Sequence, residues 1–291
     1  MEKEQTEKNA SQNPSDDLPR IKNYPLYFWR VFRKLFVVAF FGIGTLLIVI
    51  VVFPIMRLVI RDNKKFRKGG HHFISGVLEF YIHLMSWIRI CEFKISKEDL
   101  QTLRNLKSTV IIANHPSLLD VIYILAFVRD TDCIVKAALQ KSWVAGIVKA
   151  LYISNNVDFK IMEDECVEAL NAGGNLIIFP EGTRSPAHGM NQFKKGAARI
   201  ALAANAVVQP IFIGGNRKYG LGKGEPMWKA NPLERYKYYF TVLEKIQTEK
   251  FSSLSETLAA KHLTEEMRVS LETYFKKNHN HPSNGWFALS L

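Results

Sequence analysis

His115 and Asp120 are the first pair of residues whose types and spacing suggest chemistry. They lie in the stretch NHPSLLD, directly after the apolar run TVIIA, which predicts a buried strand. Pro116 suits a first helical turn, so Asp120 is predicted about one turn into a helix, where its carboxylate can meet the imidazole of His115. Such a pair would act as a general base and its orienting partner. These seven residues alone also fit a buried structural histidine.

A second polar group follows another apolar run, NLIIF, in the stretch FPEGTRS. Arg184 offers a planar fork suited to two phosphate oxygens. Backbone amides around Gly182 and Thr183 would add donors to the same anion. The stretch therefore indicates an anion site, and the alternative is a polar turn in which Glu181 pairs with Arg184.

Short apolar runs that alternate with helical patterns predict the elements that position these residues. The alternation favours an α/β domain with a mostly parallel sheet, in which ligands lie beyond the carboxyl ends of the strands. A further strand within YKYYFTVLEKI and a C-terminal helix over residues 253–277 would follow. The predicted strands are 108–113, 132–136, 151–155, 175–179 and 207–213, and the predicted helices are 117–128, 141–150, 161–172 and 193–204.

The N-terminal third of the chain has a different character. Residues Leu35–Met56 form a run of 22 without a charge, and a helix of that length would reach ~33 Å, about the thickness of a hydrocarbon core. A full span and a re-entrant insertion both fit, and basic residues at both ends leave the orientation open. A second helix near residues 74–88 is predicted to be amphipathic, either packed on the first, lying in the interface, or facing the core. The predicted organisation is a disordered tail over 1–20, membrane-anchoring helices over 21–92, an α/β domain over 93–250 and a C-terminal helix and tail over 251–291.

Charge and cysteine content narrow the class of protein. The formal net charge of +12 indicates an anionic environment, either nucleic acid or an acidic membrane surface. The basic residues cluster beside apolar segments, which favours the membrane and argues against nucleic acid. Cys91, Cys133 and Cys166 show no metal-binding or disulfide spacing, so free thiols and a catalytic domain on the cytoplasmic face of the cytoplasmic membrane are expected.

The two polar stretches together resemble the glycerolipid acyltransferase family over about residues 75–215, with NHPSLLD as a first block, FPEGTRS as a third and VVQPIFI as a fourth. The resemblance implies a mostly parallel sheet flanked by helices, preceded by a two-helix membrane anchor. It also implies transfer of a fatty acyl group in phospholipid biosynthesis, from a thioester on acyl carrier protein or coenzyme A, without a metal or other cofactor. The acceptor would be a membrane lipid, 1-acyl-glycerol-3-phosphate or a related lysolipid. His115 would be the general base, oriented by Asp120, while Glu181, Gly182, Thr183 and Arg184 would bind the acceptor and its phosphate.

The second block departs from the family pattern. Where members commonly carry an arginine, this chain has Asn155 and Asn156, so an arginine contact to the acceptor phosphate is in doubt. Asn114, Lys136 and Lys194 are further candidates for substrate binding. The stretch from 132 to 155 is closer to a bacterial subgroup, some of which use other lipids. A non-catalytic membrane adaptor and a lipid hydrolase are the rivals; the hydrolase is disfavoured because no G-x-S-x-G stretch is present. The oligomeric state stays open.

Overall fold

One seven-stranded sheet organises the structure, a computed structural model that describes residues 18–135, 145, 151–155, 158–186 and 189–279. Apolar residues on both faces of its central strands predict helices on both sides. The strands are β1 Cys91–Ile95, β2 Thr109–Ala113, β3 Thr131–Val135, β4 Ile153–Ser154, β5 Asn175–Ile178, β6 Val207–Gly215 and β7 Tyr236–Val242.

The strand order is β1-β7-β6-β2-β5-β3-β4. Strands β6, β2, β5, β3 and β4 are parallel, β7 is antiparallel to β6, and β1 is parallel to β7. Ala113, at the end of β2, pairs with Ile211, and Gly215, at the end of β6, pairs with Tyr238 near the start of β7. The carboxyl ends of β2, β5 and β6 therefore share one edge of the sheet with the amino ends of β7 and β1. The mostly parallel sheet predicted from the sequence is confirmed.

Helices cover both faces of the sheet. Successive residues of β2 point to opposite sides, so Ile111 joins one apolar core and Ile112 joins the other. The helices are α1 Tyr24–Leu47, α2 Phe53–Val59, α3 Asn63–Trp87, α4 Lys97–Arg104, α5 Asp120–Phe127, α6 Phe159–Asn171, α7 Gly196–Ala203 and α8 Glu256–His279, with a 3₁₀ turn at Glu249–Phe251. Helices α3 and α5 pack on the first side, and α6, α7 and α8 on the second.

Helices α1 and α2 form one apolar segment, Tyr24–Val59, joined by a π-helical turn at Ile48–Val52. It is 36 residues long with a mean hydropathy of 3.0 in its most apolar window, of which 17% is buried. By length and composition it is a candidate membrane span. The π turn comes just before Pro54, whose missing N–H removes one helical hydrogen bond.

Helix α3 is both core-facing and packed on α1, which combines two of the alternatives that the sequence left open. Its buried side chains Ile74, Leu78 and Met85 join the core beneath the sheet. The Tyr81 hydroxyl donates to the carbonyl of Val37 in α1 at 3.1 Å. The apolar segment is thereby tied to the α/β domain.

Several elements differ from the sequence prediction. Strand β1 and helix α4 were not predicted, and β4 is only two residues long. Helix α8 packs on β6 and α7 and buries Leu263, Met267 and Leu271 in the second core, so it is part of the α/β unit. Residues 1–17 of the tail predicted over 1–20 and most of the predicted helix over 141–150 lie outside the described residues.

Candidate active site

The imidazole of His115 contacts the carboxylate of Asp120. Nδ1 of His115 lies 2.8 Å from Oδ2 of Asp120, and the Asp120 side chain is fully buried whereas His115 keeps 16% of its side-chain surface exposed. When Nδ1 carries the proton donated to the carboxylate, Nε2 keeps its lone pair and is the basic nitrogen. The geometry is that of a base held in one tautomer by its partner.

Asp120 is the first residue of α5, and the prediction that it lies about one turn into the helix is wrong. The Ser117 N–H donates to Oδ2 of Asp120 at 2.7 Å, which resembles half of a capping box. The side chain of Asp120 thus closes the turn before the helix, and the helix starts later than Pro116 indicated.

A hydrogen-bond chain continues from Asp120 into the core. The Ser117 hydroxyl donates to Oδ1 of Asp120 at 2.6 Å, and the Tyr238 hydroxyl donates to Ser117 Oγ at 2.9 Å. Burial raises the pKa of the Tyr238 phenol well above its usual value, so the hydroxyl stays a donor. Asp120 therefore accepts bonds from His115 and twice from Ser117, and it has little freedom to move.

The two polar stretches lie side by side at the edge of the sheet. The Ser185 N–H donates to the His115 carbonyl at 2.7 Å, and the His115 N–H donates to Ser185 Oγ at 2.9 Å. The ring of Phe179 stacks on the imidazole, with centroids 4.1 Å apart and planes 21° from parallel. NHPSLLD and FPEGTRS thus form a single site.

Glu181 is buried and does not pair with Arg184 in the part of the chain that the structure describes. Its carboxylate accepts hydrogen bonds from the Ser185 hydroxyl and from the N–H and Nδ2 of Asn191, each of the latter two at 2.7 Å. These bonds fix the shape of the turn around His115. Direct contact between Glu181 and an acceptor would have to replace one of them, and that role stays a prediction.

Arg184 and Gly182 use part of their hydrogen-bonding capacity within the protein. Nη1 of Arg184 donates to the carbonyls of Leu221 at 2.9 Å and Gly222 at 2.7 Å. The Gly182 N–H donates to the Phe179 carbonyl at 2.9 Å, so that amide is not available to an anion in this conformation. The half-buried Thr183 lies between them. An anion would meet the remaining nitrogens of Arg184.

The other predicted substrate-binding residues, Asn114, Lys136 and Lys194, differ in their surroundings. Lys194 is exposed beside the turn, and a Cβ placed on Gly182 would lie 2.9 Å from its Nζ. Asn114 instead exchanges two hydrogen bonds with the backbone of Ile213, at 2.7 and 2.8 Å, and so fixes β2 to β6. Lys136 and Asn156 lie outside the described residues.

Sequence reasoning missed the residues that support the pair. Ser117 and Ser185 lie within the two stretches, and the S-x-x-D spacing of Ser117 and Asp120 is a capping signal that would have found one of them. No local pattern points to Tyr238 or Lys218. The buried Nζ of Lys218 lies 4.4 Å from the centroid of the Tyr238 ring, and burial lowers the pKa of Lys218 to about 8 while the charge of Asp120 opposes that shift.

The three cysteines are buried and free, and no cluster of three or more metal-binding side chains is found among the residues described. Burial raises the pKa of each thiol above its usual value. They offer no activated nucleophile.

Part of the chain is similar to known acyltransferases. Residues 94–214 match the family described as Acyltransferase. The chain is 29% identical over 192 residues to a chloroplast 1-acyl-sn-glycerol-3-phosphate acyltransferase of Brassica napus, covering 61% of this chain and 52% of that protein. It is 27% identical over 168 residues to the 1-acyl-sn-glycerol-3-phosphate acyltransferase of Pseudomonas aeruginosa, covering 48% and 64%. The chain thus spans about half the length of the Brassica napus relative.

The fold also has a solved counterpart. The crystal structure of the 1-acyl-sn-glycerophosphate acyltransferase PlsC from Thermotoga maritima superposes with a TM-score of 0.64 at 24% identity, over 88% of this chain and all of that one. At this identity the likeness concerns the fold. The matched family over residues 94–214 and the meeting of both motif stretches in one site support the resemblance to the glycerolipid acyltransferase family.

Proposed function

We propose that this protein transfers a fatty acyl group from an acyl thioester to a hydroxyl of a membrane lipid, a 1-acyl-glycerol-3-phosphate or a related lysolipid. One observation carries the proposal: His115, oriented by the buried Asp120, lies at the carboxyl end of β2 beside the turn that holds Arg184. The names of the relatives, 1-acyl-sn-glycerol-3-phosphate acyltransferases, point to the same reaction.

In the proposed mechanism, Nε2 of His115 accepts the proton of the acceptor hydroxyl while the oxygen attacks the thioester carbonyl. The carbon–sulfur bond of the tetrahedral intermediate then breaks, and the imidazolium returns the proton to the leaving thiolate. Asp120 stabilises the imidazolium without accepting the proton itself. The acyl group passes directly from sulfur to oxygen, since the Ser117 hydroxyl is fully buried and bound to Asp120.

Acceptor recognition is proposed to involve the FPEGTRS turn. The remaining guanidinium nitrogens of Arg184 and the exposed ammonium of Lys194 are cations suited to the acceptor phosphate. The donor would be acyl carrier protein or coenzyme A thioester, with no additional cofactor. The second block lacks an arginine. Asn155 lies near the expected position and donates its backbone N–H to the Val135 carbonyl at 3.0 Å.

The apolar segment Tyr24–Val59 is proposed to anchor the protein to the cytoplasmic membrane, with the α/β domain on the cytoplasmic face. The acceptor carries an acyl chain and resides in the bilayer, so a site held at the interface works without extracting it. The exposed apolar side chains of the segment, such as Ile43, Ile50 and Leu58, have no partner surface within the described part of the chain.

The decisive experiment measures acyl transfer by the purified full chain, with acyl carrier protein and coenzyme A thioesters as donors and a panel of lysolipids as acceptors. His115→Ala is expected to reduce the rate by at least about a thousandfold, since both proton transfers depend on this ring. His262→Ala, on the exposed face of α8, is the matched control and should keep the full rate. A folded wild-type chain that acylates no acceptor would favour the adaptor, and an active His115→Ala variant would rule out the mechanism.

A second measurement addresses the acceptor. Asn155→Arg restores the cation that the second block lacks. If the variant lowers the KM for phosphate-bearing acceptors relative to the wild type, and does not lower it for neutral acceptors, this position faces the phosphate. An unchanged ratio of the two KM values would place phosphate recognition at Arg184 and Lys194 instead.

A further inference from the structure

An open cleft of about 790 Å³ lies between α1 and the amino ends of β1 and β7, outside the site described above. Positive charge dominates its walls, because five basic residues face only two acidic ones, Glu92 and Glu234. The basic residues are Arg30, Arg33, Arg89, Arg235 and Lys237.

The two acidic residues are already paired. Glu92 lies 2.8 Å from Nη2 of Arg235 and 2.9 Å from Nζ of Lys94. Glu234 lies 2.5 Å from Nζ of Lys237. Glu234 also attracts Arg30 at longer range, but it forms no ion pair with that arginine, and neither carboxylate pairs with Arg33 or Arg89.

Arg30, Arg33 and Arg89 have no carboxylate partner among the described residues. Arg30 donates to the Asn231 carbonyl at 3.0 Å and Arg33 to the Ile88 carbonyl at 2.8 Å, which fixes both guanidinium groups without balancing their charge. Nε of Arg33 is buried and has no hydrogen-bond partner in the described structure. Three like charges in one cleft repel one another, and an anion bound between them would relieve that repulsion.

The apolar walls indicate which anion fits. Leu26, Trp29 and Leu233 line the same cleft, and all three are more than two-fifths exposed. Aromatic side chains beside arginines are typical of the membrane interface, where the rings sit at headgroup level. A ligand with a phosphate group and an apolar part would contact both the basic and the apolar side chains of the cleft.

We propose that this cleft binds the phosphate group of an anionic phospholipid of the bilayer. It is a second lipid site on the same edge of the sheet as His115, because the amino ends of β1 and β7 share that edge with the carboxyl end of β2. The loop between β6 and β7 contacts both places: Arg30 binds its Asn231 carbonyl and Arg184 binds its Leu221 carbonyl.

Titration calorimetry of the full chain in zwitterionic micelles, with short-chain phosphatidylglycerol as the ligand, tests the proposal. The Arg33→Gln/Arg89→Gln variant is expected to raise the Kd roughly tenfold or more, and added salt should weaken binding to the wild type. The matched control, Lys97→Gln/Arg104→Gln, removes the same charge on α4, which follows the carboxyl end of β1 at the opposite edge of the sheet. It should leave the Kd unchanged.

Three further arms make the result decisive. Arg89→Gln alone removes an exposed side chain and should weaken binding even if the double variant fails to fold. Arg184→Gln should leave binding intact, because the cleft is separate from the acceptor site. Inorganic phosphate should compete only weakly. The proposal would be overturned if the α4 control lost as much binding, or if Arg33→Gln/Arg89→Gln and Arg89→Gln both kept wild-type binding. It would also be overturned if Arg184→Gln lost binding, or if inorganic phosphate bound as tightly as phosphatidylglycerol. No thioester donor is present, so the outcome does not depend on acyl transfer.

Discussion

The hydroxyl of Tyr238 binds Ser117, a residue 121 positions earlier in the chain, at 2.9 Å. Ser117 in turn donates to Asp120, which holds the imidazole of His115. Strand β7 therefore supports the proposed base through two intervening side chains, although Tyr238 itself does not contact His115.

Tyr238→Phe should lower kcat severalfold with KM nearly unchanged, because the Ser117 hydroxyl loses the donor that fixes its orientation. The free energy of unfolding should fall by about 1 kcal/mol, the usual effect of one lost buried hydrogen bond. Tyr274→Phe is the matched control, since Tyr274 lies on α8 and its hydroxyl binds Thr241 of β7, not a residue of the chain of hydrogen bonds that leads to His115. Steady-state kinetics of both variants check the prediction, which fails if they lower kcat alike.

Asp120→Asn should reduce kcat by about 10³- to 10⁴-fold, because an amide can no longer accept from Nδ1 of His115 and from both donors of Ser117. Circular dichroism must show an intact fold for the comparison to hold. A variant that stays within tenfold of the wild-type kcat would mean that Asp120 caps the helix and has no part in orienting the base.

Glu181→Ala should lower the free energy of unfolding by about 2–4 kcal/mol, because it leaves the donors of the buried Ser185 and the half-buried Asn191 without their acceptor. Glu79→Ala is the control: it breaks an exposed ion pair with Arg104 and should cost at most about 1 kcal/mol. Denaturant titration in detergent compares the two. Equal losses would show that the turn is not held by Glu181.

Gly182→Ala should destabilise the turn by roughly 1 kcal/mol or more, because the backbone has φ +66° and the new Cβ would lie 2.9 Å from Nζ of Lys194. Gly76→Ala, within α3, meets open space and should stabilise the helix by up to about 1 kcal/mol. Thermal unfolding of the two variants should therefore shift in opposite directions, and a shared direction would contradict the conformational argument.

The lowered pKa of the buried Lys218 predicts that the stability of the protein depends on pH. Its pKa is about 8 in the folded protein, below its usual value of 10.5, so between these pH values the unfolded chain binds more protons than the folded one. The contribution of Lys218 to the free energy of unfolding should rise with pH over that window, by at most about 1.4 kcal/mol per pH unit, and be flat below pH 8. Asp120, Glu234 and Cys91 favour the charged form and Arg217 opposes it.

Lys218→Met should remove this rise while leaving the rest of the pH profile in place. The slope is the decisive readout, since the lost hydrogen bonds to the Asn216 and Lys237 carbonyls lower stability at every pH. Chemical denaturation at several pH values gives both curves. Parallel curves from pH 8 to 10.5 would contradict an altered pKa at Lys218.

The central strands could be predicted from the sequence, whereas β1 could not. TVIIA and NLII are continuous apolar runs because β2 and β5 are covered on both faces. CEFKI carries Glu92 and Lys94, since β1 lies at the end of the sheet and, among the strands described, pairs only with β7. Because of these charges, a search for apolar runs does not recognise β1 as a strand.

The site could be predicted where its contacts are local. His115 and Asp120 meet within one turn of chain, so their contact could be predicted from their spacing, whereas the choice of His115 as the base depended on the second stretch, FPEGTRS. The bond from Tyr238 to Ser117 depends on the reversal of β7 against β6, which no local pattern encodes. Glu181 shows the other limit: its carboxylate was predicted to bind an acceptor, but the sequence does not reveal that Asn191 and Ser185 already occupy it.

The contact between Arg30 and Asn231 has a consequence for the order in which parts of the protein form during translation. The two residues are 201 positions apart, and at ~5–20 residues per second a ribosome needs roughly 10–40 s to add the second after the first. The apolar N-terminal helix therefore emerges long before the loop and strand that complete both the arginine cleft and the support of His115. With the proposed membrane anchoring, a nascent chain would contact the bilayer before its site is complete.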